Sequence, residues 1–363
     1  MLVYMNKTIF IVLLAAVLLA SCGSSSHTER QANGQTSKSK AHCPMLEQLG
    51  IDVSKIPTLD GKVEYRNSDN MVSLNPAQVR SLLNDVYHLD LSKDENDMEG
   101  GFYIAGLRPL AGDHTLVLFH IEYGDGAGRE LAIYDQNGKM TDFLDTGAWD
   151  TFHPDENSDY IQGKAYHELM CCEFNDDRHG FTLKRDYALC DYCITDDGTT
   201  TFGTIHWALL KNYRYTINGD GHFVHDGTDI EKKGPVDPRI LLLDEISDLN
   251  YIPASDPARL EKMATLLQRD EVQQELAHPE GLAAYVLLGV MQSAFEQNAP
   301  MVLGWMAANR HQTAVIELLR KVFASGWLRK ERMIQELEKL PDGEARTWLD
   351  QLTAQWGPDG AVG

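Results

Sequence analysis

The chain has 363 residues, 32 of them basic and 54 acidic, for a formal net charge of −22 at pH 7. Non-specific nucleic-acid binding comes from phosphates neutralised by Lys and Arg, so this balance argues against nucleic acid as a partner. It equally disfavours a body lying flat on an anionic bilayer, and the length suits two domains.

In chain order, the first element is the apolar run Ile9–Leu19, preceded by Lys7 and closed by Leu19-Ala20-Ser21-Cys22. The run is short for a membrane-crossing helix, which needs about 20 apolar residues. A basic residue, a short apolar stretch and small residues before a cysteine read as a cleaved export signal over residues 1–21. Met5 gives the tidier start, because residues 1–4 add no positive charge. Leu19-Ala20-Ser21-Cys22 resembles the lipobox of bacterial lipoproteins. The resemblance implies acylation of Cys22 and a lipid bilayer as the first partner of the mature chain. Each buried methylene contributes about 0.8 kcal/mol, so several acyl chains hold a protein stably at a membrane. It also implies the cell envelope as location. With no acidic cluster directly after Cys22, the periplasmic face of the outer membrane is favoured over the cell surface. Residues 22–42 are Ser, Gly, Gln and Lys without an aromatic or an apolar period, the pattern of a flexible tether.

Residues 43–235 read as a mainly antiparallel β domain with one packed helix. A short helical piece runs from Cys43-Pro44 through Leu49. Asn75-Pro76 is an N-cap followed by proline in the first turn, and Val79, Leu82, Leu83 and Val86 put one apolar face on a helix over 76–87. Thr115–Tyr123 is apolar on both faces, as a central strand is. Asn137-Gly138 and Asn218-Gly219-Asp220-Gly221 are hairpin turns between flanking strands. Further strands are expected over 167–174, 181–194 and 201–210. Successive strands joined by tight turns predict a meander.

From Asp237 to residue 357 the period becomes helical. Asp256-Pro257, Pro279-Glu280 and Pro300 each precede an apolar-periodic run, which places three helix starts, and further helices fit 312–324, 330–340 and 344–356. Short connections favour antiparallel neighbours in a bundle or array, with Trp305, Trp327 and Trp348 as inter-helix anchors. The fold class is therefore α+β, an antiparallel sheet domain followed by an all-α domain.

Chemistry-bearing clusters are few. Beyond Cys22 the cysteines are Cys43, Cys171, Cys172, Cys190 and Cys193. Cys190-Asp-Tyr-Cys193 is a CxxC motif inside a strand, whereas a thioredoxin-type thiolate needs a helix start. In an oxidising envelope the favoured reading is a disulfide joining Cys171 or Cys172 to Cys190 or Cys193. Zinc held by these cysteines with His167 or His179 is the alternative, and no other cofactor is indicated. His222 and His225 fall on opposite sides of a regular strand, so they would not share a metal. The two Asn-Gly turns lack the acidic ligand set of a calcium loop. No local nucleophile or phosphate-loop motif is present. Arg320, Lys321, Arg329, Lys330 and Arg332 are the one basic concentration. The leading expectation is a non-catalytic envelope lipoprotein that binds an envelope protein partner. An envelope hydrolase with dispersed catalytic residues is the alternative enzyme reading, and a zinc-binding lipoprotein the third.

Overall fold

The computed structural model describes residues 43–63, 71–87, 101–123, 126–147, 150–155, 161–175, 180–195, 199–277, 282–324 and 330–354. The signal and tether readings, Cys22, His179, Trp327 and Arg329 lie outside the described residues.

The fold is α+β. Two short elements, α1 (Pro44–Gln48) and β1 (Gly61–Val63), lead into β2 (Val72–Ser73) and α2 (Pro76–Tyr87). The expected cap forms as a reciprocal box: Gln78 N donates to Asn75 Oδ1 and Asn75 N to Gln78 Oε1, both at 2.9 Å. Then come β3 (Phe102–Pro109), β4 (Thr115–Tyr123), β5 (Gly126–Tyr134) and β6 (Met140–Asp145). With β2 they form one antiparallel sheet in the order β2-β3-β4-β5-β6. Strand β4 is central and apolar on both sides because both sides are covered. Leu116 and Leu118 face the second sheet, while Val117, Phe119 and Ile121 lie under α1 and α2. Tyr134 OH, on the helix side, donates to Leu82 O at 2.7 Å, satisfying a buried hydroxyl and fixing α2 to the sheet.

The second sheet contains β7 (Asp150–Pro154), β8 (Gln162–Phe174), β9 (Gly180–Ile194), β10 (Thr200–Ile217) and β11 (Phe223–Lys233). Its order is β1-β8-β9-β10-β11, with β7 also on β8. Its inner face sends Cys172, Phe174, Phe181, Leu183, Tyr213 and Tyr215 against Leu116, Leu118, Leu131 and Ile133 of the first sheet. The β10–β11 turn matches its sequence. Asn218 Oδ1 accepts the Asp220 and His222 amides at 3.0 and 2.9 Å, and Gly221 takes the positive φ of 74° that glycine tolerates.

The helical part follows as α3 (Pro238–Ser247), a 3-10 turn (Asp248–Tyr251), α4 (Pro257–Leu266), α5 (Asp270–Ala277), α6 (Leu282–Ala308), α7 (Thr313–Ala324), α8 (Lys330–Glu338) and α9 (Glu344–Ala354). Asp237 and Asp256 cap α3 and α4, each accepting the amide two residues on and each followed by proline. The expected start at Pro279-Glu280 lies outside the described residues, and from Leu282 the two helices expected there and at Pro300 are one element broken at Asn298. Asn298 has φ −146° and ψ 71°, and its Oδ1 accepts Met301 N at 3.2 Å, so Pro300 sits in the first turn of a recapped half-helix. Helix α5 buries only Val272 and Leu276, too little apolar period for the sequence to announce it. Trp305 and Trp348 pack, partly buried, on a core of its own built from Leu260, Met263, Leu287, Phe295, Leu303 and Leu319 among others. Among the described residues no helix is long and apolar enough to cross a membrane.

Candidate functional site

The cysteines correct the favoured disulfide. Strands β8 and β9 are neighbours, but their register pairs Cys171 with Lys184, Cys172 with Leu183 and Ala165 with Cys190. Ala165 and Cys171 are six positions apart, about 20 Å along a strand. A disulfide needs Cα atoms within about 7 Å. Cys43, Cys171, Cys172, Cys190 and Cys193 are all free thiols. The Asn175 N to Gly180 O hydrogen bond closes one end of the β8–β9 ladder, with Cys172 near that end and Cys190 and Cys193 at the other. The same separation keeps Cys171 and Cys172 away from Cys190 and Cys193, so the expected zinc set of one of the first pair with Cys190, Cys193 and His167 does not assemble. Among the described residues no three His, Cys, Asp or Glu side chains converge on a metal position. Burial pushes the Cys172 and Cys190 thiols above their ordinary range, which keeps them protonated and poorly nucleophilic.

The two histidines of the β10–β11 hairpin diverge, as alternation requires. His225 lies against Tyr213 and Tyr215, with Nε2 3.0 Å from Thr228 Oγ1. Burial lowers its pKa and holds it neutral. His222 turns instead toward Asp142 on β6.

Asp142 joins three parts of the molecule. Its carboxylate is fully buried. Oδ2 accepts Phe223 N at 2.8 Å, Oδ1 accepts Phe143 N at 2.9 Å, and Ser255 Oγ lies 3.0 and 3.1 Å from the two oxygens. His222 Nδ1 stands 3.7 Å from Oδ2. The contact is an ion-pair distance and too long for a hydrogen bond, and the Asp142 carboxylate raises the His222 pKa, against burial, with Asp220 adding to the rise. Beside this cluster lies a cavity of about 440 Å³. Its walls are His222 from the turn, Phe223 and Val224 at the start of β11, Ser255, Asp256 and Pro257 at the start of α4, and Asn298 at the break in α6. Serine, histidine and aspartate are all present, yet the roles differ from those of a hydrolytic triad. Ser255 commits its only proton to Asp142 and not to His222, so the serine–histidine contact of a Ser-His-Asp triad is not formed. Asp142 is thus a structural junction.

A second polar cluster ties the sheet to the helices. Arg185 on β9 and Lys211 on β10, paired across the ladder, both donate to Asp244 of α3. Arg185 also donates to Glu168 on β8, and Lys211 to Asp248 at 2.6 Å. Tyr213 OH donates to Asp248 at 2.6 Å. Burial works against the Arg185 charge, but Glu168 foremost and Asp244 hold its pKa above the usual value. The cluster fills with ion pairs the space where α3 crosses the inner face of the second sheet.

The outer face of the same sheet is different. Beyond the Ala165–Cys190–Ile205 row, cross-strand neighbours Phe202 and Tyr192 share that face, as do Ile161 and Ile194 at the next position. Ile161 and Ile205 are each 61% exposed and Phe202 44% exposed, with the His167 ring stacked on Phe202 at 4.2 Å. These side chains form an apolar strip at one end of the sheet, on a strongly acidic protein. Nothing in the sequence flags it, because register alone gathers residues that are far apart along the chain. No family model, curated protein or solved structure matches this chain.

Proposed function

We propose that the chain is a lipid-anchored cell-envelope lipoprotein whose folded body is a non-catalytic protein-binding module. Acylated Cys22 holds it to the bilayer, on the periplasmic face of the outer membrane. The tether over residues 22–42 lets the body reach a partner away from the lipid surface.

The observation that carries the binding half is the outer-face strip of Ile161, Phe202 and Ile205. Exposed apolar residues scattered singly need no explanation, but a contiguous group does, and a protein surface is its ordinary complement. The geometry around Asp142 supports the non-catalytic half, since Ser255 is engaged with the buried carboxylate and not with a histidine.

The test is in-cell crosslinking from a photoreactive residue at position 204, followed by purification of the membrane-extracted protein. A discrete adduct with one envelope protein is expected, and it should vanish in the double variant Phe202→Ser/Ile205→Ser. That variant should keep the wild-type denaturation midpoint, because both side chains are exposed. An adduct that persists unchanged in the folded double variant would reject the strip as the binding surface.

A further inference from the structure

We propose that His222 and Asp142 form a proton-operated latch that fastens the β10–β11 turn over the cavity between the sheets and the helices. The geometry is that of a fastening. Asp142 projects from β6, buried, and is held by Phe223 N from the hairpin and Ser255 Oγ from the segment that starts α4. Neither of these donors is a titratable side chain. Among the described residues His222 is the one ionisable cation within 4 Å of that carboxylate, with Nδ1 buried and facing Oδ2 at 3.7 Å while the side chain as a whole is 43% exposed. It is also a wall of the cavity, and so is Phe223, the next residue. A change in how tightly His222 is held therefore moves one side of that space.

The charged and titratable groups around His222 set the direction. Asp142 faces it from β6, Asp220 from its own turn, and Asp256 from the opposite wall of the cavity. The His114 ring packs on Gly221, where an added Cβ would come within 2.4 Å of it. Asp142 foremost and then Asp220 favour the imidazolium against burial, which gives the raised pKa of His222. A folded-state pKa above the unfolded value gives a contribution fully present below the unfolded pKa and lost as pH rises through the folded one. The latch is therefore closed in mild acid and loosens toward alkaline pH, and the loosened turn gives wider access to the cavity.

Two measurements on the folded protein decide it. The first is the His222 ring resonance, titrated by NMR in the wild type. The second is amide hydrogen exchange over residues 218–224, expressed as protection relative to intrinsic rates at each pH. We expect His222 to titrate above the ordinary imidazole range. Protection of 218–224 should fall as pH passes that point, by about tenfold for each unit by which the pKa is raised. In His222→Gln, which keeps a neutral side chain and leaves Asp142 its other donors, protection should be lower in acid and flat with pH. Asp142→Asn would return His222 to the ordinary range, but it also weakens the junction, so His222→Gln carries the test. A wild-type His222 that titrates at or below the ordinary value would overturn the latch. So would protection of 218–224 that is independent of pH, or a pH dependence that survives His222→Gln.

Discussion

Replacing Lys211 by Met tests whether the buried charges between sheet and helices act as a unit. Lys211 is 3% exposed and donates to both Asp244 and Asp248. Methionine matches its length and its apolar stem, so packing changes little and the charge is what is lost. In the wild type two cations, Arg185 and Lys211, face three carboxylates, Glu168, Asp244 and Asp248. In the variant Arg185 alone faces all three. Removing one partner of a buried pair costs about 3–5 kcal/mol. Asp244 keeps Arg185 and Asp248 keeps Tyr213 OH, so a loss of about 4 kcal/mol is reasonable on that scale. Against a typical domain stability of about 5–15 kcal/mol this is a large fraction. Urea denaturation followed by tryptophan fluorescence and helical circular dichroism measures it. The deficit should shrink in Lys211→Met/Asp248→Asn, which restores one cation to two carboxylates. A variant within about 1 kcal/mol of wild type, or a deficit that the second substitution leaves unchanged, would refute the reasoning.

Two further outcomes follow from local geometry. Asn75→Ala removes the side-chain half of the α2 cap and should cost about 1 kcal/mol in the denaturation midpoint, while Asn75→Ser should recover most of it; equal stability of all three would deny the cap its role. Tryptic digestion under non-reducing conditions cuts at Lys184 and Arg185, between the two cysteine groups. It should release the Cys171/Cys172 and Cys190/Cys193 peptides unlinked, and a joined peptide would contradict the β8–β9 register.

What the sequence made legible was local. The Asn75-Pro76 and Asp256-Pro257 starts, the β10–β11 turn and the double-sided apolar pattern of β4 each follow from residues within one element, and the structure has them. The cysteines differ at the next level. Both groups are on neighbouring strands, as expected, yet the ladder runs outward from the Phe174–Phe181 pair, so distance from that pair decides which positions meet. Counting outward from it pairs Cys172 with Leu183 and leaves Cys190 and Cys193 far along the ladder. Pro300 marks the second half of α6 in the sequence, whereas the recapping by Asn298 within a continuous element does not show there. Neither Asp142 nor the Arg185–Lys211 cluster is visible in the sequence. Ser255 stands 113 positions from Asp142 and Asp248 stands 35 from Tyr213, and an isolated Asp or Lys in a strand looks like surface. The apolar strip escapes for the same reason, since Ile161, Phe202 and Ile205 become neighbours only through β8–β9–β10 pairing.

The central proposal, a body held to the envelope membrane through Cys22, is met most directly by metabolic labelling with palmitate, combined with membrane fractionation and intact-mass analysis. The wild-type chain should take up label, sediment with membranes and have the mass of residues 22–363 plus acyl groups. Cys22→Ala should take up none and leave the lipoprotein pathway. Label retained in Cys22→Ala, or an unlabelled, membrane-bound wild-type chain that keeps residues 1–21, would contradict the account.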